Sequence, residues 1–215
     1  YHRASDEFAL AGLEDGLVPQ GLAFLNDEEL FLQCGYMTDE TQPSRIYLVP
    51  LTAPYANTYV TLKYSDGTPF DGHTGGVSVW QDFVFVASDG EGEDNGIWVF
   101  SLTELLTAKN GESITAKDVF HPESRANYCF VDGDYLWVGE FYLYDNYLTD
   151  PTHAFQVDAD SKQRALMCAY QLDASAPLGI VQKAPVMALS VPDMVQGAAR
   201  VDDGSFILST SYSVS

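Results

Sequence analysis

The chain has 215 residues, 46% of them hydrophobic, with 13 Tyr, 12 Phe and 3 Trp, enough apolar material for a buried core and too much for a disordered chain. It carries 31 acidic against 10 basic residues, a formal net charge of −21, so nucleic acid and anionic lipid are excluded as partners by repulsion, although such acidity commonly serves solubility alone. No run of 18 apolar residues occurs, so no membrane-spanning helix is expected.

The chain begins at Tyr1 rather than Met, and the expectation is a removed secretion signal and an extracellular or cell-surface location. Residues 6–12, DEFALAG, read as a strand with no strands of its own ahead of it. The next segments are VPQGLAF (18–24), ELFLQCGY (29–36), SRIYLVPL (44–51) and TYVTLK (58–63). Short Val-, Tyr- and Phe-rich bursts between Gly, Asp, Asn and Pro predict antiparallel strands, here a four-stranded meander.

The pattern restarts at GHTGGVSVW (72–80), turns at Gln81-Asp82, and runs FVFVASD (83–89) and GIWVFSL (96–102). It restarts again at ANYCFV (126–131), turns at DGD and continues YLWVGEFY (135–142), with ALMCAYQL (165–172) as the third strand. A fourth restart is VQGAARV (195–201), DDG, SFILSTSY (205–212). Gln20, Gly75, Asn127 and Gln196 are the matched entry points, 55, 52 and 69 residues apart.

Four-stranded units repeating at about 40–50 residues mark a β-propeller. A β-sandwich also has many short strands, but does not require RIYLVPL and GIWVFSL at the same offset in successive units. The expectation is an all-β fold: one β-propeller domain over residues 1–215, with blade 1 at 20–63, blade 2 at 73–119, blade 3 at 126–189 and blade 4 from 196, cut short. Residues 6–12 are expected as the outer strand of the closing blade, in a ring of five blades when complete. An open ring would leave unpaired strand edges, so the polypeptide is expected to continue past Ser215, the remainder belonging to the same chain or to a fragment of it.

In such a ring the strand-entry loops and the loops after the second strand share one face. The entries carry Gln20, His73, Arg125, Asn127 and Gln196; the second-strand loops include the 141–165 stretch with Tyr142, Tyr144, Tyr147, His153 and several Asp. A connection that long is often functional, and Tyr suits recognition because it combines an apolar body with a polar tip. Gln20, His73, Arg125, Asn127, Glu140, Tyr142, Tyr144, His153 and Gln196 are therefore the candidate ligand-binding residues.

Glu140 stands in an apolar strand, LWVGEFY, where a carboxylate needs a partner or a raised pKa. The bland reading is a strand-end Glu bonded to Arg125 or a loop amide. The functional reading makes Glu140, His73 and His153 candidate catalytic groups or a joint metal site. DGEGEDNG (89–96) spaces Asp89, Glu91 and Glu93 alternately, as calcium loops do, but Asp94 occupies the glycine position of an EF-hand and Phe100 the position of its last ligand. These three are weak candidates for a divalent cation such as calcium. Cys34, Cys129 and Cys168 lie in apolar runs without a CxxC and read as small hydrophobes.

The strings VPQG, GHTGG, LWVGEFY followed by a distant His, and VPDMVQGAA with DDGSFILSTSY resemble a group of secreted bacterial β-propeller proteins, and more loosely YncE-like and gluconolactonase-like propellers. The resemblance implies a short-ringed propeller. The lactonase set of metal-binding carboxylate and Asn positions has no residue-by-residue match here, so it implies no catalytic assignment. Three functions follow: a module binding a sugar, peptide or metabolite at the channel mouth, a hydrolase or lyase using Glu140 with His73 or His153 and a cation, or a scaffold.

Overall fold

The computed structural model describes residues 9–51, 56–90 and 95–210. In chain order the strands are β1 (Leu17–Leu25), β2 (Leu30–Met37), β3 (Arg45–Pro50), β4 (Thr58–Lys63), β5 (Gly76–Trp80), β6 (Phe83–Asp89) and β7 (Asn95–Ser101). A six-residue helix α1 (Leu102–Thr107) follows, then β8 (Ser113–Thr115), β9 (Asp118–Phe120), β10 (Tyr128–Asp132), β11 (Tyr135–Gly139), β12 (Phe155–Gln156), β13 (Lys162–Gln163), β14 (Ala165–Gln171), β15 (Met187–Val191), β16 (Val195–Arg200) and β17 (Phe206–Thr210). The fold is all-β, and no described helix is long and apolar enough to cross a membrane.

The strands form three antiparallel meanders in the orders β1-β2-β3-β4, β5-β6-β7-β9 and β10-β11-β14-β15, followed by a two-stranded hairpin, β16-β17. Each turn from first to second strand contains one residue at positive φ, namely Glu29, Gln81, Gly133 and Gly204, which keeps these turns tight. The segment between β7 and β9 departs from a plain meander. Ser101 caps α1 by accepting from the Glu104 N–H, and β8 then leaves its own sheet to pair in parallel with β4.

Alternation along the strands explains how the sheets stack. On β6, Val84 and Val86 join a core shared with Leu32, Cys34 and Ile46 of the first sheet, whereas Phe83, Phe85 and Ala87 face the third sheet. On β14, Cys168 and Tyr170 look back towards the second sheet, while Ala165, Met167 and Ala169 meet Val195, Ala198 and Phe206 of the hairpin. A period of two with both faces buried is what strands in a serial face-to-face stack require. The three cysteines are buried and free.

The first strands lie side by side in the order β1, β5, β10, β16. Their approach is close enough to demand glycine: a Cβ on Gly75 would collide with the Asn127 carbonyl oxygen, and one on Gly21 would lie 2.7 Å from the Gly76 Cα.

Two expectations need correction here. Of the strand expected over residues 6–12, residues 6–8 lie outside the described residues, and the rest is not strand. Residues 11–16 are a run of turns, with Ala11 held by both ends of the buried Gln33 amide, at 3.0 Å to its N–H and 2.8 Å to its carbonyl. The reason is local: Gly12 and Gly16 adopt φ of 76° and 85°, which break an extended run, and the segment caps the first sheet through Ala11 and Leu17. The 141–165 stretch, in turn, has structure of its own, a 3-10 turn at Pro151–His153 and the β12-β13 hairpin.

Candidate functional site

Gln20 and Gln196 share one peculiarity. In β1 the register against β2 slips between Pro19 and Gly21, and in β16 the register against β17 slips between Val195 and Gly197. Each Gln is thus the extra residue of a β-bulge, a device that re-aims one side chain out of the ladder. At the equivalent points of the other sheets the same doubling occurs at the strand mouth. Gly75 donates to the carbonyl of Ala87, which already pairs with Gly76, and Asn127 donates to that of Gly139, which pairs with Tyr128. The repeated Gln-Gly phrase therefore encodes a bulge at the entry of a first strand.

These four entries converge on one cavity of about 410 Å³, lined by Gln20, Gly75, Asn127 and Gln196 together with Val18, Tyr36, His73, Asp89, Phe141 and Tyr147. Tyr36, Asp89 and Phe141 come from the ends of three second strands or just beyond them. Volumes of about 300–1,000 Å³ are usual for small-molecule sites.

The polar wall is organised around Asp89. Its Oδ1 lies 3.1 Å from His73 Nδ1, its Oδ2 accepts from Asn127 Nδ2, and its backbone carbonyl accepts from Arg125 Nη2 at 2.9 Å. Burial pushes the Asp89 carboxyl upward, but the His73 hydrogen bond, the His73 and Arg125 charges and its own backbone outweigh it, so it sits below the usual carboxylate range. A carboxylate only accepts, so His73 Nδ1 carries the hydrogen of this bond. The Asp89 side chain is 9% exposed and that of His73 42%: the charge is sunk in the wall and the imidazole faces solvent. Tyr36 packs beside that imidazole, ring centroids 5.0 Å apart. Asn127 turns its other end inward, where Oδ1 accepts from the Phe141 N–H at 2.9 Å.

Glu140, 1% exposed, is not among the residues that line this cavity. Its carboxylate accepts from the Arg125 N–H (3.1 Å), the Leu166 N–H (2.9 Å) and His153 Nδ1, which lies 3.0 Å from each oxygen. Glu140 thus ties β11, the entry to β10 and the long 141–164 connection together. Arg125 adds a strut, its guanidinium reaching the Leu148 carbonyl at 3.4 Å as well as Asp89.

Of the candidates read from sequence, the structure brings Gln20, His73, Asn127 and Gln196 to one cavity, with Asp89. It does not bring Arg125, Glu140, His153, Tyr142 or Tyr144 to its lining. Tyr142 is buried in the core between the third sheet and the hairpin, and Tyr144, 74% exposed, borders a separate depression beside Arg164 and Asp193. The joint His73, His153 and Glu140 site is overturned, since His73 pairs with Asp89 and His153 with Glu140. Among the described residues no three His, Cys, Asp or Glu side chains converge to hold a metal ion. In the proposed calcium loop, Glu91 and Glu93 lie outside the described residues, and Asp89 is spent on His73 and Asn127.

Sequence reasoning missed Tyr36 and Phe141, and named Tyr147 only as one of the tyrosines of the long loop. The first two were open to discovery, because the rule that assigns the second-strand ends to the entry face selects them directly. Tyr147 reaches the cavity by packing edge-on against Phe141, centroids 5.4 Å apart, within a local bridge between Leu143 and Tyr147. No family model, curated protein or solved structure matches the chain.

Proposed function

We propose that the stacked sheets are blades of a β-propeller, of five blades when complete, and that the chain is an extracellular or cell-surface module binding a small molecule at the mouth of its central channel. The observation that carries this reading is the convergence of four equivalent entry positions, two of them bulged Gln residues, on one cavity. Serial face-to-face packing and adjacent first strands support the ring. The half-exposed to exposed apolar side chains Leu22, Phe24 and Ile207 lie on β1 and β17, where further strands of such a ring would pack.

Among the described residues the lining contains no Lys or Arg, and the chain carries a net charge of −21, so the ligand is not an anion. A thermal-shift screen of the purified chain against anionic, cationic and neutral small molecules tests this. A stabilising hit outside the anionic class, abolished by Gln20→Leu with Gln196→Leu, is the expected result. Hits confined to anions, or unaffected by both substitutions, contradict it.

A second reading, a hydrolase or lyase, draws on the His73–Asp89 pair alone, which has the geometry of a base held by an orienting carboxylate. His153 and Glu140 form the same kind of pair, Nδ1 lying 3.0 Å from each carboxylate oxygen, but neither lines the cavity.

A further inference from the structure

We infer that the ligand is a neutral saccharide, held with the apolar face of a pyranose ring against the cavity aromatics and its hydroxyls against the amide and imidazole groups. This rests on the reading of the cavity as a binding site and names the class of molecule that fits it.

The electrostatics decide between two chemistries. A carboxylate among Tyr and Phe rings is the usual setting for an amine, through charge pairing and cation–π attraction. Asp89 is not available for that. Both its oxygens are engaged by His73 and Asn127, Arg125 stands on its carbonyl, and little of its side chain reaches the surface. What the wall presents instead is the Gln20 and Gln196 amides and the outer edge of the His73 ring, Asn127 being held at both ends by Asp89 and the Phe141 N–H. Amides offer donors and acceptors side by side, the pattern that vicinal hydroxyls match with one donor and one acceptor each.

The aromatics supply the second half of the recognition. Tyr36, Phe141 and Tyr147 line the same cavity as the amides. Aromatic faces carry partial negative charge and so attract the slightly positive C–H bonds on the apolar face of a pyranose. An open-chain polyol presents the same hydroxyls without a fixed C–H face. The cavity of about 410 Å³ has room for a mono- or disaccharide and its waters, near the lower end of the ~300–1,000 Å³ usual for such sites.

The test is saturation-transfer NMR and calorimetry on the whole chain with three probes: neutral pyranosides (methyl glucoside, methyl galactoside, N-acetylglucosamine, cellobiose), the open-chain sorbitol, and the amines choline and spermidine. The expected result is binding of at least one pyranoside, with saturation strongest at its ring C–H protons, and no binding of sorbitol. Tyr147→Ala should weaken that binding about tenfold, the scale of one lost aromatic contact, and Tyr147→Phe should leave it unchanged. Tyr147 is partly exposed, so both variants are expected to fold, as the unliganded melting temperature will show. Amines binding in place of pyranosides overturns the saccharide while leaving a binding cavity in place. Binding by neither class overturns both. Sorbitol binding as tightly as pyranosides overturns the role of the ring face.

Discussion

Replacing Glu140 by Gln isolates the claim that this residue is a clamp and not a catalyst. The carboxylate accepts from the Arg125 and Leu166 backbone amides and from His153 Nδ1. Gln keeps one acceptor oxygen but turns an NH2 group towards one of those N–H donors, leaving it buried and unpaired. An unsatisfied buried donor costs about 1–3 kcal/mol, and a hydrogen bond to a charged group contributes about 1.5–3 kcal/mol, so the change should destabilise the fold by about 3 kcal/mol. For a chain of this size that is a drop in melting temperature of roughly 6–12 °C. His153→Ala should cost only about 1 kcal/mol, because each carboxylate oxygen keeps one backbone donor. Urea unfolding gives the stabilities, and hydrogen exchange gives the location. Protection should fall at the Arg125 and Leu166 amides and across 141–164, while β5 to β7 remain protected. A Glu140→Gln variant within about 1 kcal/mol of the parent, with unchanged exchange at those two amides, would refute the reasoning.

Other consequences follow from the same geometry. Asp89 titrates below the usual carboxylate range in the folded chain, so the stability it contributes is present above the ordinary carboxyl pKa, about 3.9, and is lost as pH falls through its lower folded value. The difference in urea midpoint between the parent and Asp89→Asn should therefore shrink as pH falls below about 4; a gap that widens there would be the wrong sign. Burial pushes the Cys34 thiol up to about 12 and Cys168 up to about 11, and raises Cys129 as well. A disulfide-exchange reagent at pH 8 should accordingly label no cysteine in the native chain and all three after denaturation. Gly139→Ala would drive a methyl into the Tyr128 ring and should destabilise by about 1–3 kcal/mol as overpacking does, measured by chemical unfolding. Tyr128→Phe should be neutral or mildly stabilising, since the buried Tyr128 hydroxyl has no hydrogen-bond partner among the described residues; a loss above about 1 kcal/mol would show that the hydroxyl is satisfied.

The strands were legible because their alternation is strict and both faces are apolar. FVFVASD and ALMCAYQL state two cores at once, and those cores are found on either side of β6 and β14. The convergence of Gln20, His73, Asn127 and Gln196 was legible through the repeat, which matches positions that are far apart in sequence. What the repeat does not carry was missed. The α1 helix has six residues and follows an apolar strand without a break in hydrophobicity, and β8 finds its partner, β4, about fifty residues away in another sheet. The Tyr-rich stretch misled because composition says nothing of direction: Tyr142 turns into the core, Tyr144 out to solvent, and Tyr147 to the cavity. Glu140 was legible as a strand-end carboxylate bonded to Arg125 or a loop amide, and the structure gives it the Arg125 and Leu166 N–H groups; that His153 would join them depends on how the long connection folds.

The central claim is that entry residues from separate sheets act together as one binding wall, and the side-chain amide resonances test it directly. In a nitrogen–proton correlation spectrum titrated with the ligand found by screening, the NH2 signals of Gln20, Asn127 and Gln196 should shift together with one affinity. Those of Gln156 and Gln182, which bond to local backbone carbonyls away from the cavity, should stay in place. Independent movement of the three, or movement of Gln156 and Gln182 in their stead, would contradict it.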